Sequence, residues 1–198
     1  MPTLLKPTPE AVRHFLARQT GRPFSYPEVS HTRDTPPPGY VVDHRRARLG
    51  EGRAAFEAAC AAVRRWEMFR LGWVQICWPD APIEPGTVVA TLASAGGMWW
   101  LNACRIVYVV DETVPLRRYG FAFGTLEEHV ECGEERFTIE WRDDDSVWYD
   151  VLAFSRPQHW LARLGYPLTR WTQKRFGVGS LAVMTAAVRD AADVRSLP

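Results

Sequence analysis

Arg117-Arg118-Tyr119-Gly120-Phe121-Ala122-Phe123-Gly124-Thr125-Leu126-Glu127-Glu128-His129-Val130-Glu131-Cys132-Gly133-Glu134-Glu135 falls into two halves of different character. In the first, Gly120, Ala122 and Gly124 alternate with Tyr119, Phe121 and Phe123, the period of two that marks a β-strand. A strand face of small residues lets a helix, another strand or a ligand approach the backbone closely, and a helix packed over it is the expected cover. In the second half His129 and Glu131 stand two apart, so an extended chain projects both to one side. Such a pair suits acid–base work, with the carboxylate raising the histidine pKa. It also suits a metal site completed by Cys132, Glu134 or Glu135, or simply a solvated loop between strands.

Outward from this stretch the period of two continues. Glu134–Arg142 and Val147–Ser155 read as strands around Asp143-Asp144-Asp145-Ser146, with Phe137, Ile139 and Trp141 on one buried face. The acidic tip lacks the ligand spacing and closing Glu of a calcium loop, which leaves a hairpin turn. Upstream, Trp73–Trp78, Thr87–Ala93, Met98–Leu101 and Cys104–Asp111 read as further strands. Arg105 shares a face with Val107 and Val109, with Tyr108 opposite. An inward Arg105 needs a carboxylate such as Glu131 or Glu135, and an outward one is surface charge.

Helical spacing appears on both sides of these strands. Phe56, Ala59, Cys60, Val63 and Trp66 form an apolar stripe after a strand over Tyr40–Leu49 and the turn Gly50-Glu51-Gly52, and Gly72 ends the helix. Thr8-Pro9-Glu10 opens a short N-terminal helix with Val12, Phe15 and Leu16 as its stripe. Pro36-Pro37-Pro38 is extended chain and marks a boundary, dividing an N-terminal helix and proline-rich arm (1–39) from a single α+β domain (40–198). After Arg156-Pro157, Trp160, Leu161, Leu164, Leu168 and Trp171 return to helical spacing. Gly165 and Pro167 predict a kink, and Phe176-Gly177-Val178-Gly179 a second break before Ser180 caps a last segment.

Strand, helix, about six strands and a C-terminal helix make an α+β layer architecture. A curved antiparallel sheet of six to seven strands gripping that terminal helix is the helix-grip arrangement, with a cavity between the two.

Composition narrows the function classes. The chain has 198 residues, 46% hydrophobic and 24% charged, with nine Trp and nine Phe, so either the core is thick or a cavity is aromatic-lined. A net charge of +1 argues against a nucleic-acid surface. Cys60, Cys77, Cys104 and Cys132 lie far apart, without the close pairs of a zinc or redox site, and read as reduced, buried hydrophobes. The N-terminus lacks a secretory pattern and no run approaches a membrane span, so a cytoplasmic location is expected. No cofactor motif occurs.

Several ordered strings resemble an uncharacterised family of bacterial and plant proteins, the domain of unknown function nineteen-ninety. They include Tyr26-Pro27-Glu28-Val29, Leu49-Gly50-Glu51-Gly52, Cys104-Arg105-Ile106-Val107-Tyr108, Tyr119 through Leu126, His129 through Phe137, Phe154-Ser155-Arg156-Pro157 and Gln173. The resemblance runs from about Phe24 to near the C-terminus. It implies no catalytic residues. More remotely it implies a START-like helix-grip (SRPBCC-type) fold.

The leading expectation is a binding domain for an apolar small molecule or lipid, with Arg105, Tyr108, His129, Glu131 and Glu135 as candidate ligand-binding residues. An enzyme of cyclase, hydrolase or isomerase type requires His129, Glu131 and Arg105 or Tyr108 to converge on one pocket. An interaction scaffold would dock through the N-terminal arm.

Overall fold

A computed structural model describes residues 2–114, 116–158 and 166–195. Its elements run β1 (Pro2–Thr3), α1 (Pro9–Gln19), β2 (Val41–Glu51), α2 (Gly52–Arg64), β3 (Val74–Ile76), β4 (Val88–Ala95) and β5 (Met98–Glu112). They continue as β6 (Arg117–Thr125), β7 (Glu131–Trp141), β8 (Ser146–Pro157) and α3 (Tyr166–Arg195). The sheet is ordered β2-β8-β7-β6-β5-β4-β3, every pairing is antiparallel, and β1 adds to β5. The sheet curls around α3, which is the helix-grip arrangement expected from the element order.

Alternation decides which side chains face inward. Phe121 of β6, Phe137 and Ile139 of β7 and Tyr149 of β8 are fully buried against Phe56, Ala59 and Val63 of α2 and Met184 of α3. Trp66 follows α2 in a left-handed conformation, with φ of 56°, and its ring meets Phe121 edge-on at 4.8 Å. Phe69 lies 5.7 Å from Phe137 and 5.1 Å from Phe176. Much of the aromatic richness is therefore core, each large side chain contributing about 1.5–3 kcal/mol by leaving water.

The opposite face of the sheet is covered too. Thr8 caps α1 by accepting the Ala11 N–H, and α1 packs Val12 and Phe15 onto Leu92, Leu101 and Leu126. Beyond it, Tyr26 and Thr32 are buried on the strands. The small-residue face of β6 lies on this outer side. Its cover at Gly124 is the Tyr26 side chain, whose hydroxyl occupies the space a Cβ would need, so the expected helix is replaced by the N-terminal segment.

Four further expectations change. Met98 to Glu112 is one strand, because β4 pairs with Met98–Arg105 and β6 with Cys104–Glu112, without interruption. A register shift between Ile106 and Tyr108 turns Arg105 and Tyr108 to the same outer face, opposite Gly124 and Ala122. The first long helix stops at Arg64, before Gly72, and a short 3-10 turn over Glu67–Phe69 follows.

The fourth change concerns the terminal helix. It runs through Gly177 and Gly179 without a break, and Ser180, expected as a cap, is buried within it and shares a 2.8 Å hydrogen bond with the Tyr149 hydroxyl. A helical glycine costs roughly 1 kcal/mol relative to alanine. Close packing offsets that cost here: a Cβ on Gly177 would sit 2.6 Å from Arg45 Cδ, and one on Gly179 3.1 Å from Leu71 Cδ1. Pro167 lies at the start of the described part of α3, next to residues outside the described ones, so the kink expected at Gly165 and Pro167 falls there. Trp160, Leu161, Leu164 and Gly165 lie outside the described residues.

Among the described residues no helix is long and apolar enough to cross a membrane. The four cysteines are unpaired, and burial pushes the Cys60 thiol up to about 12 and that of Cys77 up to about 11.

Candidate functional site

Between the inner face of the sheet and the first half of α3 lies a cavity of about 850 Å³. Its walls are largely apolar and aromatic: Phe69, Trp73, Trp100, Phe123, Leu168 and Phe176. The cavity exists because the inward positions shrink there. Ala93, Ala153 and Gly133 stand where bulkier side chains fill the core nearer to α2.

Polar groups gather where α3 meets β2, β7 and β8. Arg170 of α3 holds Asp43 of β2 through both guanidinium nitrogens, one at 3.0 Å, and its Nη1 donates to Gln173 Oε1 at 2.5 Å. This guanidinium holds the Asp43 carboxyl below its ordinary pKa. Gln173 Nε2 in turn donates to Glu131 Oε2 at 2.8 Å and to Ser155 Oγ at 2.9 Å. The chain of contacts anchors α3 to three strands. It leaves Glu131 Oε1 buried with no hydrogen-bond partner among the described residues.

His129, Glu131 and Glu135 all line this cavity, whereas Arg105 and Tyr108 do not. Arg105 donates to the Arg22 carbonyl at 2.6 Å and lies over the Phe24 ring. Tyr108 shares a 2.7 Å hydrogen bond with Thr32, and Arg33 stacks on its ring at 3.9 Å. Both belong to the outer face, so the five candidates divide three and two between opposite sides of the sheet. The catalytic arrangement that joins His129 and Glu131 to Arg105 or Tyr108 is not brought together.

His129 and Glu131 touch, but not as an acid–base pair. His129 Nδ1 accepts the Glu131 backbone N–H at 3.0 Å, while the Glu131 carboxylate faces Gln173 and Ser155. Burial dominates the ring and holds its pKa down to about 3, opposite in sign to the rise a paired carboxylate would cause. Among the described residues no group of three or more His, Cys, Asp or Glu side chains is placed to hold a metal ion.

Glu135 is the unusual member. It projects into the cavity from β7 between Phe123 of β6 and Ala153 of β8. Burial, with a smaller contribution from the Asp43 charge, pushes its carboxyl up to about 8. Folding therefore favours the protonated acid: its contribution to stability is full below about pH 4.5 and is lost as pH rises through about 8. Replacing Glu135 with Gln is expected to remove that loss, so the variant gains on the wild type between pH 5 and 9. Denaturant unfolding of both proteins across this range checks it, and parallel pH profiles would disprove it.

The sequence by itself marks none of the Asp43–Arg170–Gln173 contacts as a site, and Gln173 enters only through the family resemblance. The second unanticipated feature is Glu134, the neighbour that points outward. Its carboxylate accepts from the Tyr26 hydroxyl (2.8 Å), the Ser30 N–H (2.8 Å), the Thr32 N–H (3.0 Å) and the Thr32 hydroxyl.

With this geometry in hand, comparison with known proteins gives a definite result. Residues 25–183 match the model of a domain of unknown function, DUF1990. The chain belongs to the DUF1990 family.

Similar full-length proteins accompany that match. A UPF0548 protein of Dictyostelium discoideum is 36% identical over 209 residues, covering 96% of this chain and 97% of that protein. A UPF0548 protein of Deinococcus radiodurans is 37% identical over 184 residues, covering 87% and 91%. Among solved structures, the crystal structure of Ara h 8.0201 has a TM-score of 0.49 at 14% identity, over 77% of this chain and 99% of that one. The DUF1990 match begins at residue 25, so it takes in Tyr26, Ser30 and Thr32, the residues that bind Glu134.

Proposed function

We propose that this protein binds an apolar small molecule, lipid-like or aromatic, in the cavity between the sheet and α3. The observation that carries the reading is the cavity itself: about 850 Å³, walled mainly by aromatic and aliphatic side chains, with a few polar groups at one end. That volume lies within the roughly 300–1,000 Å³ of small-molecule sites, and the distribution of polar groups is the usual one for fixing a ligand's orientation. Arg105 and Tyr108 take no part in it. The ligand-facing candidates are His129, Glu131 and Glu135.

The test fills the cavity. Ala153 faces inward beside Glu135 on the floor of the space, so Ala153→Trp is expected to occupy it. The wild type should bind a twelve-carbon alcohol with a change in tryptophan fluorescence, since Trp73 and Trp100 line the space. The variant should lose at least about tenfold in affinity while keeping a cooperative thermal transition. Equal binding by a folded variant would reject the cavity as the site.

A further inference from the structure

We infer that the ligand carries a protonated amine on its apolar body, and that Glu135 receives it. This rests on the cavity-binding reading above and specifies the head group.

The cavity wall presents more unmet hydrogen-bond acceptors than donors. Glu131 is 6% exposed, and its Oε1 has no partner among the described residues although Oε2 is held by Gln173. Asn102, 8% exposed, likewise presents an Oδ1 without a partner among the described residues. The Glu135 carboxyl makes no hydrogen bond or ion pair with any described residue. All three line the same space. Unpartnered buried polar atoms are costly and uncommon, and two such acceptors facing one cavity beside the Glu135 carboxyl mark a place where a ligand's donors complete the bonding.

The surroundings of Glu135 favour a cation over a neutral donor. Phe123 is its cross-strand partner on β6, within reach of a group bound at the carboxyl, and an aromatic face attracts an ammonium. On the same strand, Gly133 projects no side chain between Glu131 and Glu135, which leaves room for the head group. Arg170 is held by Asp43, and Arg45, which lines the cavity from β2, packs its stem on Gly177 with its charge beside Asp43; the Asp43 charge is the one felt at Glu135. At Glu135 an ammonium therefore meets carboxyl oxygens where a carboxylate ligand would meet repulsion. When it binds, the Glu135 carboxyl gives its proton to solvent and the carboxylate pairs with the ammonium. Affinity should accordingly rise between pH 6 and 8, below the pKa of about 10 for an alkylamine.

The experiment compares dodecylamine, dodecanol and dodecanoate, below their micelle concentrations, against the full chain by tryptophan fluorescence and calorimetry. The expected result is that the amine binds about tenfold or more tightly than the other two at pH 7.5, and that Glu135→Gln abolishes this preference while still binding dodecanol. Equal affinity for all three would overturn the amine assignment and leave the cavity reading standing. Tightest binding of dodecanoate would also overturn it, and would point to Arg45. An amine preference that survives Glu135→Gln would reject Glu135 as the receiver. Binding of none of the three would overturn the cavity reading itself.

Discussion

Glu134→Ala is expected to cost roughly 3–5 kcal/mol of stability, because it strands several donors at once and each buried one left unsatisfied costs about 1–3 kcal/mol. Glu134 is 3% exposed, and all four of its hydrogen-bond donors come from the segment Tyr26–Thr32. Without the carboxylate, two backbone N–H groups and two hydroxyls lose their shared acceptor in a place water reaches poorly. Tyr108 would feel the loss as well, through its hydrogen bond to Thr32. At about 2–4 °C per kcal/mol for a chain of this size, the melting temperature should fall by about 10 °C. Hydrogen exchange should quicken first in residues 24–34, the segment the carboxylate ties down. A loss under about 1 kcal/mol would show that Glu134 does not anchor this segment. Glu134→Gln keeps the shape but swaps one acceptor for a donor, so an intermediate loss is expected.

The second large effect is expected at Gly133. Its φ of +156° lies in a region that side chains rarely adopt, and a Cβ there would overlap the Phe154 carbonyl oxygen on β8. That oxygen belongs to backbone in a paired strand, so relief requires parting β7 from β8. The local ladder has little slack. On the other side, the Gly133 N–H donates to Thr125 Oγ1 at 2.9 Å, a side chain replacing the backbone partner where β6 ends. Gly133→Ala should therefore destabilise by about 3 kcal/mol or more, at or beyond the upper end of ordinary overpacking. Denaturant unfolding measures it. A change within about 0.5 kcal/mol, the range of an unremarkable surface substitution, would show that the backbone relaxes freely there.

The alternation around Phe121, Phe137 and Ile139 was legible in the sequence because a strand buried on one face must repeat every two residues. The stripe of α2 was legible for the same reason at helical spacing, and element order was enough to place α3 against a curved sheet. Two signals misled. Gly177 and Gly179 look like helix breaks by local propensity, yet they are contact points where α3 approaches Arg45 and Leu71. The run from Arg105 to Tyr108 looks like strict alternation, but the extra residue at Val107 reverses the side on which Tyr108 emerges. Neither effect is local, so no window of sequence contains it.

For the stretch from Arg117 to Glu135, the sequence alone determined a strand with one aromatic and one small-residue face, followed by a polar segment rich in His and Glu. Only the tertiary structure decided what each acidic residue does. Glu134 and Glu135 are adjacent and chemically identical. The pleat sends one outward to four donors from the N-terminal segment and the other inward to a largely apolar cavity, where no described residue donates to it. The difference depends on strands and an arm distant in sequence, because hydrogen-bond partners and the loss of water are supplied by neighbours in space.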